Sequence, residues 1–135
     1  MNHTDEAEHP LHVLYTSQLS PDQSYAVFTA VSGLSRSRNL LLGIRSVLLF
    51  DGMRFSQLLV GPPRRLLLLV SQIFRDKRHD TISLLAQEVR SGDVLESHWL
   101  CGFCEPKELD LLQSLRGHQA LEAFHALLNR ADLST

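Results

Sequence analysis

From Leu11 onward the chain begins to alternate. Leu11, Val13 and Tyr15 are interleaved with His12, Leu14 and Thr16, a period of two that predicts a strand over residues 11–16 with apolar side chains on both faces. The ten residues before it, MNHTDEAEHP, have no face that could enter a core and are expected to be a mobile tail. Ser20-Pro21-Asp22 then supplies a cap with proline at the first helical position, which predicts a helix through about residue 37. Its apolar residues Tyr25, Phe28, Val31 and Leu34 recur every third position and form one stripe. Residues 43–50 and 54–60 read as two strands joined at Asp51-Gly52-Met53, where Asp-Gly signals a hairpin. Gly61-Pro62-Pro63 ends the second strand and opens a helix to about residue 75. Further strands are expected over residues 80–89 and 97–103, and helices over residues 106–115 and 119–128.

The predicted order is β-α-β-β-α-β-β followed by two helices. Its first six elements are the split βαβ arrangement of ferredoxin-like α+β folds, with both helices on one face of the sheet. The strands are apolar on their other face as well, where Leu58 and Val60 oppose Phe55 and Leu59, so a second layer must cover it. The two C-terminal helices, rich in leucine, are the expected cover. This divides the chain into a tail (1–10), a sheet domain (11–104) and a helical extension packed on the sheet (105–135).

Composition narrows the function classes. With 44% hydrophobic and 21% charged residues the chain is an ordinary globular domain, and 135 residues suffice for one core with one enclosed ligand. Thirteen basic against fifteen acidic residues leave no electrostatic footprint for nucleic acid. The longest apolar run, LLLLV at residues 66–70, is far short of the roughly 20 residues a membrane span needs. An acidic, polar start and two cysteines imply a cytoplasmic setting.

Strand parity then picks out polar side chains on apolar faces. Gln57 shares a face with Phe55 and Leu59, where an unpaired amide costs about 1–3 kcal/mol, and Tyr15 lies beside Leu11 and Val13 under the same constraint. Asn39 is expected just past the first helix, where an ordinary reading makes it a cap. In residue type, order and spacing, Leu14-Tyr15-Thr16-Ser17, Arg38-Asn39, Gly43-Ile44, Asp51-Gly52-Met53-Arg54-Phe55-Ser56-Gln57, Asp76-Lys77-Arg78-His79 and Trp99-Leu100-Cys101-Gly102-Phe103 together resemble the BLUF family of blue-light sensors that use a flavin. The resemblance implies a flavin, FAD with FMN as the alternative, lying between the Val31 and Ile73 helix faces. Asn39 would bond its C4 carbonyl and N3 edge, and Gln57 would bridge its N5 and O4 region to Tyr15. Arg38, Arg78 and His79 would lie near its edge or its phosphate end. The family mechanism implies that light drives an electron and a proton from Tyr15 through Gln57, and that their return leaves the Gln57 hydrogen bonds rearranged. Trp99 and Cys101 would belong to the same photoactive group.

Several positions depart from the family pattern. Cys101 stands where the family usually has methionine, Arg45 and Ser46 where glycine and threonine are common, Val60 where an acidic residue is usual, and Gln72 where a basic one often occurs. A flavin-free interaction module on the same fold is the alternative these departures suggest. Cys101-Gly102-Phe103-Cys104 is a CxxC, but zinc would need two more ligands and only His98 is nearby, and it sits in a strand rather than at the helix N-terminus that redox pairs use. The sequence offers no metal site and no catalytic triad. The resemblance implies a sensor, not an enzyme, that signals to an unidentified downstream protein through its surface, with homo-oligomers also compatible.

Overall fold

The structure, a computed structural model, describes residues 9–19, 36–75, 79–91, 95 and 98–133. Five strands form one sheet: β1 (Leu11–Leu19), β2 (Arg45–Phe50), β3 (Arg54–Gly61), β4 (His79–Val89) and β5 (Leu100–Phe103). Their order is β4-β1-β3-β2-β5. β1 runs antiparallel to both β3 and β4, β2 antiparallel to β3, and β5 parallel to β2. The β1-to-β2 and β3-to-β4 connections each cross a strand, as the split βαβ pattern requires.

One face carries Leu11, Val13, Tyr15 and Leu59, packed against Leu66, Leu69 and Val70 of helix α1 (Pro63–Arg75) and against Ile44 and Leu42. The other face carries Leu14, Val47, Leu49, Leu58 and Val60. It is covered by Leu109 and Leu112 of α2 (Pro106–Gln113) and by Leu121, Phe124 and Leu127 of α3 (Gly117–Arg130). The two-layered cover expected from the apolar strands is therefore present, and the helices differ from their expected limits by a few residues.

The first helix departs more. Its expected start and the stripe Tyr25, Phe28, Val31 and Leu34 lie outside the described residues. Its end lies at residue 42 rather than near 37, with residues 36–42 helical. Gly43, at φ +68°, stops it: the Ile44 N–H donates to the Asn39 carbonyl at 2.9 Å and the Gly43 N–H to the Leu40 carbonyl at 3.4 Å, the Schellman pattern that needs a left-handed residue. Gly43 is thus a helix terminator rather than the first residue of β2, and Asn39 lies inside the helix rather than past it. β1 extends to Leu19 because Ser17 and Gln18 still pair with Phe55 and Arg54. β5 begins at Leu100, opposite Val47, so Trp99 precedes the strand instead of lying in it.

Candidate functional site: the helix-bearing face of the sheet

Tyr15 and Gln57 are direct cross-strand partners on β1 and β3, so both side chains stand on the helix-bearing face. Each is 4% exposed, and the Tyr15 hydroxyl donates to Gln57 Oε1 at 2.5 Å. Two polar groups that would be costly alone satisfy one another inside an apolar layer. Because Oε1 is the end that accepts from Tyr15, Nε2 is the end that can donate to a ligand. The Phe74 ring meets Tyr15 edge-on, with centroids 5.6 Å apart. Ile73 is partly buried against the same cluster.

The pair belongs to a row that crosses the sheet. Gln57 is opposite Leu48 on β2, and Leu48 is opposite Cys101 on β5. Trp99 packs beside that end of the row, buried with Leu48, Phe50 and Phe55, with Cys101 at the cluster's edge. The structure therefore brings Tyr15, Gln57, Trp99 and Cys101 onto one face.

Asn39 is fully buried. Its Nδ2 donates to Ser46 Oγ at 2.7 Å and to the His98 carbonyl at 2.9 Å, while its Oδ1 meets no donor among the described residues. His98 Nδ1 in turn lies 3.0 Å from the Ile44 carbonyl, which ties the approach to β5 onto the end of the first helix. Arg38 is half-buried in this region; burial pulls its guanidinium below the ordinary value, and neighbouring Tyr15 works the other way. Val31 and Arg78 lie outside the described residues. His79 opens β4 opposite Leu19, and its side chain is outside the description.

The departures from the family pattern fall in different places. Ser46 is at the site, bonded to Asn39. Arg45 donates to the Leu95 carbonyl at 2.9 Å, Val60 is buried in the far-face core, and Gln72 is exposed. Burial, with Asp51 and Glu108 close by, pushes the Cys104 thiol up to about 12, the opposite of what a redox CxxC requires. Among the described residues no group of three or more His, Cys, Asp or Glu side chains could hold a metal ion.

The family model for BLUF, sensors of blue-light using FAD, matches residues 11–93. The chain belongs to the BLUF family. Solved BLUF structures share its architecture. BlsA in its photo-activated state superposes with a TM-score of 0.76 at 21% identity, covering 93% of this chain and 99% of that one, a likeness of fold. BlrB, described as a BLUF protein in its dark state, gives 0.61 at 26% identity over 78% of this chain and 79% of its own. Klebsiella pneumoniae BlrP1, solved with FMN and cyclic diGMP, gives 0.60 at 28% identity over 71% of this chain. This chain spans about a quarter of that protein's length, 26%. No curated protein matches it in sequence.

The BLUF fold implies a flavin, and the residues present suit one. A flavin's imide edge carries an N–H between two carbonyls. Asn39 Oδ1 is a buried acceptor without a donor among the described residues, and Gln57 has a donor end on the same face of the sheet. Ser46 and His98 were not singled out as partners of Asn39 by sequence. The parity of Ser46 with Leu48 is a signal that could have put it on this face, but the 59-residue separation of His98 from Asn39 has no local signal.

Proposed function

We propose that this BLUF protein binds FAD between the first helix and α1 and senses blue light through the Tyr15–Gln57 pair, which signals to a protein partner. The observation that carries the reading is the buried hydrogen bond from Tyr15 to Gln57 Oε1. A bound flavin would supply blue-light absorption and, once excited, an acceptor for an electron. The phenol of Tyr15 is the group here that can give up an electron and its Oη proton together and take both back, and Gln57 Oε1 is already placed to receive that proton. Rotation of the Gln57 carboxamide would exchange its ends, turning Nε2 toward Tyr15 Oη and Oε1 toward the ligand. The hydrogen-bond pattern changes while no covalent product forms. Asn39 would hold the ring edge, with Arg38 beside it, and Trp99 and Cys101 would feel the change along the Gln57–Leu48–Cys101 row. Arg78, His79, Val31 and Ile73 are assigned to the same pocket by family position.

A route to the surface supports residues 105–135 as the output and 11–104 as the sensor. Next to Tyr15 and Gln57, the paired residues Thr16 and Ser56 point to the other face. Thr16 Oγ1 accepts from Gln113 Nε2 of α2 at 3.1 Å, and Gln113 Oε1 accepts from Arg54 at 3.0 Å. Arg54 also holds Asp110 and the Pro106 carbonyl, each at 2.7 Å. A change of strand spacing at Tyr15 and Gln57 is thereby felt by α2. Two free cysteines fit a reducing cytoplasm, and no helix among the described residues is long and apolar enough to cross a membrane.

The test is optical. The purified protein, supplied with FAD and FMN, should be yellow, and blue light should move its absorption to longer wavelength with recovery in the dark. Chromatography of the released cofactor decides between the two flavins. A colourless protein that takes up neither sinks the proposal and favours a flavin-free interaction module.

A further inference from the structure

A carboxamide presents a donor at one end and an acceptor at the other, and its surroundings decide which end faces a ligand. For Asn39 they do so unequivocally. The His98 carbonyl can only accept, so the Asn39 atom 2.9 Å from it is the nitrogen. Ser46 Oγ takes the second hydrogen of the same Nδ2 at 2.7 Å. Both donors of the amide are consumed within the protein, and Oδ1, fully buried, has no donor among the described residues. Neither partner is accidental in its placement. Ser46 sits on β2 opposite Leu59, on the same face as Gln57, and the segment at His98 is clamped by its own ring to the Ile44 carbonyl at 3.0 Å. The amide is gripped from the strand and from the approach to β5 at once.

We propose that Ser46, together with the His98 carbonyl, is a specificity-determining positioning residue that makes Asn39 an acceptor-only contact, so that the site selects the imide N–H of a flavin and leaves the adjacent C4 carbonyl without a bond from Asn39. The inference rests on the flavin reading above. It leaves Gln57 Nε2, rather than Asn39, as the carboxamide that donates at the ring's carbonyl side, which places the light-driven change on that side chain. Without a hydroxyl at position 46, the second Asn39 hydrogen would be free to reach the carbonyl. Ser46 thus tunes the chromophore without touching it.

The experiment compares the unsubstituted protein with Ser46→Ala and Ser46→Thr, each loaded with FMN labelled with 13C at C4. Losing the hydroxyl frees one Nδ2 hydrogen. Ser46→Ala is expected to lower the dark-state C4 carbonyl stretching frequency and to change FMN affinity by roughly fivefold or more, the scale of one hydrogen bond. Ser46→Thr, which keeps the hydroxyl, should restore both. An unchanged carbonyl stretch and affinity in Ser46→Ala overturns the inference. A second measurement uses the unsubstituted protein alone: FMN methylated at N3 should bind at least about 100-fold more weakly, because it leaves Oδ1 unpaired in a site built around that bond. Equal affinity for the two flavins overturns the inference even if Ser46→Ala fails to fold. If the unsubstituted protein takes up no flavin at all, the functional reading fails, an outcome distinct from both.

Discussion

Tyr15 and Gln57 meet across one rung of the sheet, out of reach of water, and each is the other's compensation for burial. Removing either partner should therefore be read first in light response and only then in stability. Gln57→Leu is expected to keep the flavin and abolish the light-induced red shift, and Tyr15→Phe should do the same; an intact shift in either variant refutes the assigned role. Gln57→Leu also removes the Tyr15–Gln57 hydrogen bond, a loss of about 0.5–1.5 kcal/mol that thermal unfolding would register. Both residues were legible in the sequence because the period of two is local: parity alone placed an amide and a phenol on apolar faces. The partners of Asn39 were not legible. Its burial inside a helix, gripped by Ser46 and the His98 carbonyl, depends on segments that approach only after the sheet has formed.

Within single elements, local chemistry decided most ends and long-range pairing decided the rest. The hairpin at Asp51-Gly52-Met53 forms as its residues require, with Asp51 Oδ1 accepting from the Met53 and Arg54 N–H groups at 2.9 and 2.7 Å. β4 was expected as a regular strand. Instead its register against β1 slips between Leu14 and Tyr15, which pair with Ala86 and Leu84, so that Leu85 is extra and both Leu85 and Ala86 are buried in the far-face core. Alternation cannot foresee a bulge, since the extra residue is defined by the partner strand. In α2 the Glu108 carboxylate accepts from the Glu105 N–H at 2.9 Å and lies 3.3 Å from Arg130. The Glu105 N–H and Arg130 hold the Glu108 carboxyl below its ordinary value near 4.5. A carboxylate depressed on folding contributes stability that is complete above the unfolded-state value and is lost as pH falls through the folded one. Melting temperature should accordingly fall as pH drops from about 5 towards 3, and less steeply in Glu108→Gln, whose amide still serves the capping box. Identical acid limbs for the two proteins would contradict this.

At the scale of the whole molecule, the sheet is a partition. Its helix-bearing face holds the Tyr15–Gln57 pair and Asn39, and its other face is sealed by α2 and α3, whose Phe124 is fully buried among Leu14, Leu58 and Leu121. That cover is structural as well as communicative: Phe124→Ala should cost about 3–5 kcal/mol in denaturant unfolding, and a loss below 1 kcal/mol would show that α3 is loosely attached. The β5 strand is bound into the same assembly, since a Cβ on Gly102 would come within 2.9 Å of the Asp132 carbonyl oxygen. By itself the sequence determined the periodicities, the hairpin, the proline-led starts of α1 and α2, the need for layers on both faces, and which polar side chains would stand on apolar surfaces. These follow from side-chain size, backbone freedom and alternation, all readable within a few residues. Only the tertiary structure decided the row from Tyr15 through Gln57 and Leu48 to Cys101, the slip in β4 and the end of the Asn39 amide left for a ligand. Each of these depends on which distant segment supplies a hydrogen bond or a packing surface, and that choice exists only once the strands have paired.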